Sequence, residues 1–291
     1  MKLVSYWGEK NTPCTGVLLE DSRVLQLNKP DSGLPDSLRT LLEGGEEMMA
    51  RVQGFISKAE GSGAETIPLE KIRLRPVIPD PGKFLLCGVN YKKHILEMGR
   101  KLPEKPSIFG RFNHTLLGSG DPIIAPKTSI CVDWEGELVV VIGKKGKHIT
   151  REQALDYVAG YTCFNDVSIR DVQTGLPQIT IGKNFDASGP LGPCMVTSDE
   201  LANPHALELT TKLNGEIMQH GNTEELIFDI PYLIELISSA MTLYPGDLIS
   251  TGTPDGVGHG RDPKVYMKPG DQISVTIQGI GELKNPVIME Q

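Results

Sequence analysis

The chain has 291 residues and a formal net charge of −8, which allows a large buried core and argues against nucleic acid or an anionic membrane as a partner. No segment approaches the ~20 consecutive apolar residues of a membrane span. Five widely spaced cysteines without a C-x-x-C pair favour neither a disulfide framework nor a zinc site. We therefore expect a cytoplasmic protein whose partners are small molecules.

The first quarter of the chain predicts a small α+β unit. Residues 2–7 and 15–27 are apolar runs typical of strands, and turn-forming residues interrupt the second run. Apolar side chains at helical spacing predict a short helix after Pro35 and a longer one over residues 48–59. Residues 60–66 have the composition of a linker, so we predict a small N-terminal domain over residues 1–75 and a second domain over residues 76–291.

The remainder predicts mostly short strands with two helices. One helix is expected to begin at Thr150, whose spacing to Gln153 is that of a capping box, and to stop at Gly160. The other is expected to run from an Asp229 cap to about Leu243. Together these elements indicate an α+β fold that is mostly β.

Three carboxylates crowd the segment DWEGELVVVIG, residues 133–143. In a single strand, Asp133, Glu135 and Glu137 would share one face and repel one another unless water or a cation lies against them. Asp166 follows the next apolar stretch. Glu135, Glu137 and Asp166 form an all-oxygen set that suits Mg²⁺ or Mn²⁺, with Ca²⁺ also possible, whereas Asp133 is expected to accept hydrogen bonds outside the ligand set. The alternative is a strand end that protrudes into solvent.

A second candidate site is the pair His94 and Glu97. Their spacing is about one helical turn, so the carboxylate can hold one imidazole nitrogen while the other accepts a proton. The alternative is an exposed polar helix face. The pair lies in N-Y-x-x-H-x-x-E, residues 90–97, which we call the lid segment.

These motifs, followed by SIRDVQ, GKNFDASGPLGP, STGTPDGVG and IGELKNPV, occur in an order that resembles the fumarylacetoacetate hydrolase superfamily over about residues 80–291. The resemblance implies a mixed-sheet β-roll, a homodimer, and a Mg²⁺ or Mn²⁺ ion that is held by the E-x-E glutamates and the aspartate. It also implies that the lid segment becomes ordered when substrate binds.

The resemblance further implies roles for single residues. Lys183 is expected near the substrate keto oxygen, and Arg111 near the distal end of the substrate. Arg170 and Gln173 are expected to line the other wall of the pocket, and Thr253 to donate to the substrate carboxylate.

The substrate implied is a 2-oxo acid, and the leading hypothesis is a metal-dependent hydrolase that cleaves the C–C bond of an acylpyruvate such as fumarylpyruvate. His94 and Glu97 favour it, because hydrolysis requires activated water. The same scaffold could instead serve as an oxaloacetate-type decarboxylase, an enol–keto isomerase of a hydroxymuconate-like diacid, or a dienoate hydratase. A non-catalytic protein that retains the metal site is the remaining alternative.

Overall fold

The secondary structure is dominated by short strands. The computed structural model describes residues 1–99, 101–175, 178–201 and 203–291. The strands are β1 (Lys2–Trp7), β2 (Pro13–Leu18), β3 (Arg23–Gln26), β4 (Ile67–Pro68), β5 (Arg73–Leu74), β6 (Phe84–Gly88), β7 (Ser107–Gly110), β8 (Leu116–Leu117), β9 (Ile123–Ala125), β10 (Val132–Asp133), β11 (Gly136–Ile142), β12 (Val158–Asn165), β13 (Ser168–Ile169), β14 (Gly189–Thr197), β15 (Glu208–Leu213), β16 (Glu216–Asn222), β17 (Leu248–Ser250), β18 (Gln272–Ile277) and β19 (Gly281–Met289).

Helices are few and mostly short. The α-helices are α1 (Leu38–Glu43), α2 (Gly45–Ser62), α3 (Lys92–Glu97), α4 (Arg170–Thr174), α5 (Thr180–Lys183) and α6 (Ile230–Ala240). The 3₁₀ segments are Glu9–Asn11, Leu69–Lys71, Asn113–Thr115, Arg151–Tyr157, Thr223–Glu225 and Gly258–Gly260. Within the described part of the chain, none of the helices combines the length and apolar content that a membrane crossing requires.

Two sheets form the scaffold, and the predicted mixed-sheet, mostly β architecture is confirmed. The larger sheet runs β4-β3-β2-β1-β14-β12-β11-β17-β6-β7 and is mixed, because β17 pairs with β6 in parallel while its other neighbour is antiparallel. The second sheet has the order β16-β15-β18-β19-β9. A separate two-stranded ladder joins β10 and β13.

Strand β11 lies within the large sheet, between β12 and β17, and is buried on both faces. Leu138 and Val140 pack into a core shared with the second sheet and α6, whereas Val139 and Val141 pack into a core shared with α1 and α2. A strand covered on both faces has a continuous apolar run rather than an alternating one, which accounts for LVVVI after Glu137.

The N-terminal strands extend the large sheet. Strand β1 pairs with β14 at Lys2–Val196 and Leu3–Met195, and it also pairs with β2 and β5. The core under α1 and α2 draws side chains from both sides of residue 75. Both predicted N-terminal helices are present, and α2 extends into the predicted linker. The division into two domains stays a prediction about independent folding.

The predicted helix over residues 150–160 was wrong in type and end. The segment Arg151–Tyr157 is a 3₁₀ helix, Thr150 makes no side-chain cap, and β12 begins at Val158. Only Ala154 is buried in the 3₁₀ segment, so it lacks the apolar stripe that stabilises an α-helix.

The second predicted helix is confirmed as α6. The Asp229 side chain caps it by accepting from the Tyr232 N–H at 2.8 Å. Helix α6 ends at Ala240, three residues before the predicted end, because Leu243 pairs as a β-bridge with Gly146 instead.

Candidate metal centre and its lid segment

The three carboxylates of the predicted metal site meet where β11 and β12 lie side by side. Gly136 pairs with Asn165 in the antiparallel ladder, so Glu135 and Glu137 flank the start of β11 while Asp166 follows the end of β12. The Asp166 N–H donates to the Glu135 carbonyl at 2.8 Å, which fixes the junction. One oxygen from each of the three buried carboxylates lies within 4.8 Å of the others.

Gly136 allows both glutamates to face the same side. A Cβ at this position would lie 2.3 Å from Thr211 Oγ1 and 3.2 Å from side-chain atoms of Leu209 and Val275 in the second sheet. The residue between the two glutamates therefore faces a surface with no room for a side chain. Because faces alternate along a strand, the glutamates point away from that surface.

Two of the three carboxylates contact buried cations. Lys183 Nζ lies 2.7 Å from Glu135 Oε2 and 2.5 Å from Asp166 Oδ2. Arg170 Nη1 lies 2.8 Å from Glu135 Oε1, and Arg111 donates to Asp166. Glu137 has weaker partners, since its Oε2 accepts from the Ser250 hydroxyl and, at 3.3 Å, from the Gly252 N–H.

This difference sets the pKa values of the two glutamates apart. Burial alone would raise the pKa of Glu135, but Lys183, Arg170 and His94 outweigh it and lower the pKa to about 2. Burial, together with repulsion from Asp166 and Glu135, raises the pKa of Glu137 well above its usual value. Without a metal ion, a negative charge on Glu137 would thus be under-compensated. Three oxygen donors with such a charge fit a hard divalent cation.

Asp133 does not lie in the strand that carries Glu137. It belongs to β10, which pairs with β13, whereas β11 begins only at Gly136. Its carboxylate is fully buried and accepts from Arg170 Nε at 2.7 Å as well as from backbone N–H groups. Asp133 therefore lies behind Arg170, outside the group of three carboxylates.

A cavity of about 130 Å³ lies beside the carboxylates. Its walls bring together seven of the residues that the sequence indicated: His94, Glu135, Glu137, Arg170, Gln173, Lys183 and Thr253. Gln173 Oε1 accepts from Arg170 Nη1 at 2.9 Å, so these two form one wall of the cavity. The Thr253 hydroxyl donates to the Gly136 carbonyl at 2.9 Å and accepts from Gln219, so a substrate would have to compete for its proton.

The lid segment contributes the His94–Glu97 pair. His94 Nδ1 lies 3.4 Å from Glu97 Oε2, and His94 is 7% exposed. Both oxygens of Glu97 accept from the Gly256 N–H, at 3.0 and 3.2 Å. The pair is therefore not an exposed polar face, because His94 lines the cavity and Glu97 contacts the loop after β17.

Arg111 is not at a distal end of the cavity, which corrects the sequence-based expectation. Its side chain is fully buried behind Asp166 and does not line the cavity. Nε donates to Thr115 at 3.1 Å and Nη2 donates to the Ser188 hydroxyl at 2.7 Å. These contacts commit the guanidinium to protein groups, and Arg111 holds the Asp166 carboxylate in place.

Sequence reasoning missed several supporting groups. Ser250, Gly252 and Gly256 contact Glu137 or Glu97, and all three lie in STGTPDG, from which only Thr253 was singled out. Asn90 anchors the start of the lid segment, since its Nδ2 donates to the Thr251 carbonyl at 2.8 Å. The sequence did contain a signal for Asn90, because Asn90 is the first residue of the lid motif N-Y-x-x-H-x-x-E.

Residues 83–288 match the family model described as fumarylacetoacetate (FAA) hydrolase C-terminal. Oxaloacetate tautomerase fahd2, mitochondrial, from Xenopus laevis is 39% identical over 292 residues, which cover 99% of this chain and 90% of that protein. Oxaloacetate tautomerase YisK from Bacillus subtilis (strain 168) is 37% identical over 291 residues, covering 95% of this chain and 97% of the relative.

Solved structures share the whole fold. Maleylpyruvate hydrolase from Sphingobium sp. SYK-6, in complex with manganese(II) ion and pyruvate, superposes with a TM-score of 0.83 at 28% identity, and 100% of each chain is covered. The carboxylates, the cavity and the lid segment thus occur in a chain that is similar throughout its length to proteins named for chemistry on oxo acids.

Proposed function

The chain belongs to the fumarylacetoacetate hydrolase family, and we propose that it is a divalent-metal-dependent tautomerase that interconverts the keto and enol forms of oxaloacetate. The supporting observation is the His94–Glu97 pair, in which His94 lines the same small cavity as Glu135 and Glu137 while Glu97 contacts the His94 Nδ1. Relatives that cover nearly the whole chain are named oxaloacetate tautomerases, so we favour keto–enol isomerisation over C–C hydrolysis, with oxaloacetate rather than a hydroxymuconate-like diacid as the substrate.

Glu135, Glu137 and Asp166 would hold Mg²⁺ or Mn²⁺. When bound, such an ion withdraws electron density from the keto oxygen of a 2-oxo acid, which makes the neighbouring C3–H bond more acidic. The remaining steps fall to side chains of the cavity.

His94 is the base that we assign to the C3 proton. Its Nδ1 faces Glu97, so Nδ1–H can donate to that carboxylate and leave Nε2 as the acceptor. As the C3–H bond breaks, its electron pair forms the C2–C3 double bond and the C2 oxygen takes a proton from Lys183. Both groups recover their starting protonation by exchange with water once the product leaves.

The charge of the centre favours a dianionic substrate. Its buried charged groups are four carboxylates and three cations, Asp133, Glu135, Glu137, Asp166, Arg111, Arg170 and Lys183. With all of them ionised, one negative charge is in excess, and a bound dication would change this to one positive charge. Oxaloacetate carries two carboxylates, which suit such a pocket.

Arg170 is the group that we assign to the second carboxylate of the substrate. It lines the cavity, and in the described part of the chain its Nη2 is buried without a hydrogen-bond partner. A buried guanidinium N–H that has lost water gains by meeting an anionic oxygen.

Hydrolysis of a short acylpyruvate is the second candidate. The supporting observation is the superposition on maleylpyruvate hydrolase, whose structure is described with manganese(II) and pyruvate. In that reaction, His94 would take a proton from water rather than from C3.

The test follows the ultraviolet absorbance of enol oxaloacetate with protein and Mg²⁺ or Mn²⁺, with EDTA as the metal-free control. We expect the metal-loaded protein to speed the loss of the enol signal before pyruvate or carbon dioxide accumulates. The exposed-site variant Glu216→Gln should behave as wild type. Cleavage of acylpyruvates without any acceleration of enol loss would replace this proposal with the hydrolase, and early release of carbon dioxide would replace it with a decarboxylase.

A further inference from the structure

Asp133 contacts two parts of the site at once. Its Oδ2 accepts from Arg170 Nε at 2.7 Å and from the His259 N–H at 3.0 Å. Its Oδ1 accepts from the Gly258 N–H at 2.7 Å and from the Trp134 N–H at 2.9 Å. Each oxygen therefore serves two donors, and the carboxylate joins Arg170 to the loop that contains Gly258 and His259.

The same loop, residues 256–260, holds the lid carboxylate. The Gly256 N–H donates to both oxygens of Glu97, at 3.0 and 3.2 Å. At the other end of the loop, a Cβ on Gly260 would lie 2.6 Å from Glu97 Cγ and Cδ, so the backbone packs directly on this side chain. The position of Glu97, and through it of His94, thus depends on where the loop lies.

Trp134 fixes the loop from a second direction. Its buried indole Nε1 donates to the Gly256 carbonyl at 3.3 Å. A Cβ on Gly258 would lie 2.9 Å from the edge of the indole ring, so this glycine also packs on Trp134. Trp134 therefore touches the loop, while Asp133 touches both the loop and Arg170.

We infer that Asp133 is a positioning residue that couples the carboxylate-binding Arg170 to the lid pair His94–Glu97 through loop 256–260. When a substrate carboxylate engages Arg170, Asp133 holds that guanidinium and the loop in one arrangement, and the loop in turn holds Glu97. The inference rests on the proposed function, because it assigns the substrate contact to Arg170 and the proton transfer to His94.

Asp133→Asn is the informative change, because it keeps the shape of the side chain and leaves one acceptor oxygen in place of two. In either orientation, the amide NH₂ group faces two N–H donors, either those of Gly258 and Trp134 or those of Arg170 and His259. We expect kcat to fall by about tenfold, the usual size of a coupling inside one network, and KM to rise as Arg170 loses its orientation. Calorimetric Mn²⁺ affinity should stay as in wild type.

The control variants separate the two contacts. Trp134→Phe removes the indole donor to the loop without touching Arg170, so it should lower kcat with little change in KM. If Asp133→Asn fails to fold, Arg170→Lys replaces it in the cycle below, because that change also removes the Nε contact through which Asp133 holds Arg170. The exposed Asp36→Asn should leave both constants unchanged.

A double-mutant cycle with Glu97→Ala, which removes the side chain that the loop holds, decides whether the coupling passes through the lid. If Asp133 acts through Glu97, the kcat penalty of Asp133→Asn, and likewise of Trp134→Phe, should largely disappear when Glu97 is already Ala. Penalties that multiply in full would overturn the inference, as would a loss of Mn²⁺ affinity in Asp133→Asn.

The same cycle measured on ligand binding separates this inference from the proposed function. Oxalate is a planar dianion that resembles the C1–C2 unit of an enolised 2-oxo acid, and its calorimetric affinity with Mn²⁺ present requires no turnover. Non-additive losses of oxalate affinity in a protein that does not tautomerise oxaloacetate would retain the coupling and reject the proposed reaction. Additive losses in an active tautomerase would do the reverse.

Discussion

The ammonium of Lys183 lies 2.7 Å from the Glu135 carboxylate, so a buried cation already contacts one of the carboxylates that we assign to the metal. The same ammonium reaches Asp166 at 2.5 Å. Lys183 therefore stabilises the metal-free protein by holding two carboxylates together, and a metal ion must bind next to a positive charge.

Lys183→Met should show how much Lys183 stabilises the metal-free protein. Removing one partner of a buried ion pair leaves Glu135 and Asp166 without their shared cation, so we expect the metal-free protein to lose about 3–5 kcal/mol of unfolding free energy. Adding Mg²⁺ or Mn²⁺ should raise the melting temperature of the variant more than that of wild type. An equal rise in both proteins would show that Lys183 and the metal do not share these ligands.

The pH dependence of metal-free stability should report the two glutamates in opposite windows. The pKa of Glu135 is lowered to about 2, so its stabilising contribution grows as pH rises from about 2 and is complete above the usual value of 4.5. The pKa of Glu137 is raised, so its ionisation costs stability as pH rises above 4.5 through the raised value. Urea denaturation of the metal-free wild type should show this loss of unfolding free energy as pH rises above 4.5.

Two controls bear on that assignment. In Glu137→Gln the loss above pH 4.5 should be absent, and the metal-free variant should be more stable than wild type at neutral pH. Saturating Mg²⁺ should also suppress the loss in wild type, because the ion favours the ionised carboxylate. A loss that persists in Glu137→Gln would assign it to another group.

His94→Ala should reduce turnover by roughly 10²–10⁴-fold, the usual contribution of a general base, without changing metal affinity. Glu97→Gln should have a smaller effect, because the Gly256 N–H still holds the side chain. The matched control is His220→Ala, since His220 is exposed on β16. Wild-type turnover in His94→Ala would remove the lid pair from the reaction.

Gly136→Ala should disturb the metal centre through packing alone. The new Cβ would meet Thr211 Oγ1 at 2.3 Å, so β11 must shift and separate the carboxylates of Glu135 and Glu137. We expect lower stability and weaker Mn²⁺ binding by calorimetry. Thr211→Ala removes the clashing oxygen, which in the described residues has no hydrogen-bond partner, and the double variant should recover part of both losses. No recovery would mean that Leu209 and Val275 set the limit.

The sequence predicted the parts of the site that depend on local pattern. Glu135 and Glu137 precede one apolar run, and Asp166 follows the next, which predicted that the three carboxylates belong to one site. They lie together because the two runs form the paired strands β11 and β12. The His94–Glu97 pair was equally accessible, since three residues make about one turn of a helix.

Features that depend on distant pairing were not predictable in the same way. Asp133 lies outside the strand that carries Glu137 because β10 pairs with β13, and no local periodicity in the sequence reveals that pairing. Arg111 was misplaced because its partners, Asp166 and Ser188, come 55 and 77 residues later. The partner of Glu97 is a backbone N–H 159 residues away, and a backbone donor leaves no trace in residue type.

The pairing of β1 with β14 has a consequence for biosynthesis. Strand β1 is translated almost two hundred residues before its partner residues Met195 and Val196. Until then, β2 and β5 are the neighbours that the described strands offer it, and the edge that will meet β14 stays open to other chains. The large sheet therefore cannot be completed before β14 has been translated, and during that interval the open edge of β1 is exposed to wrong pairing.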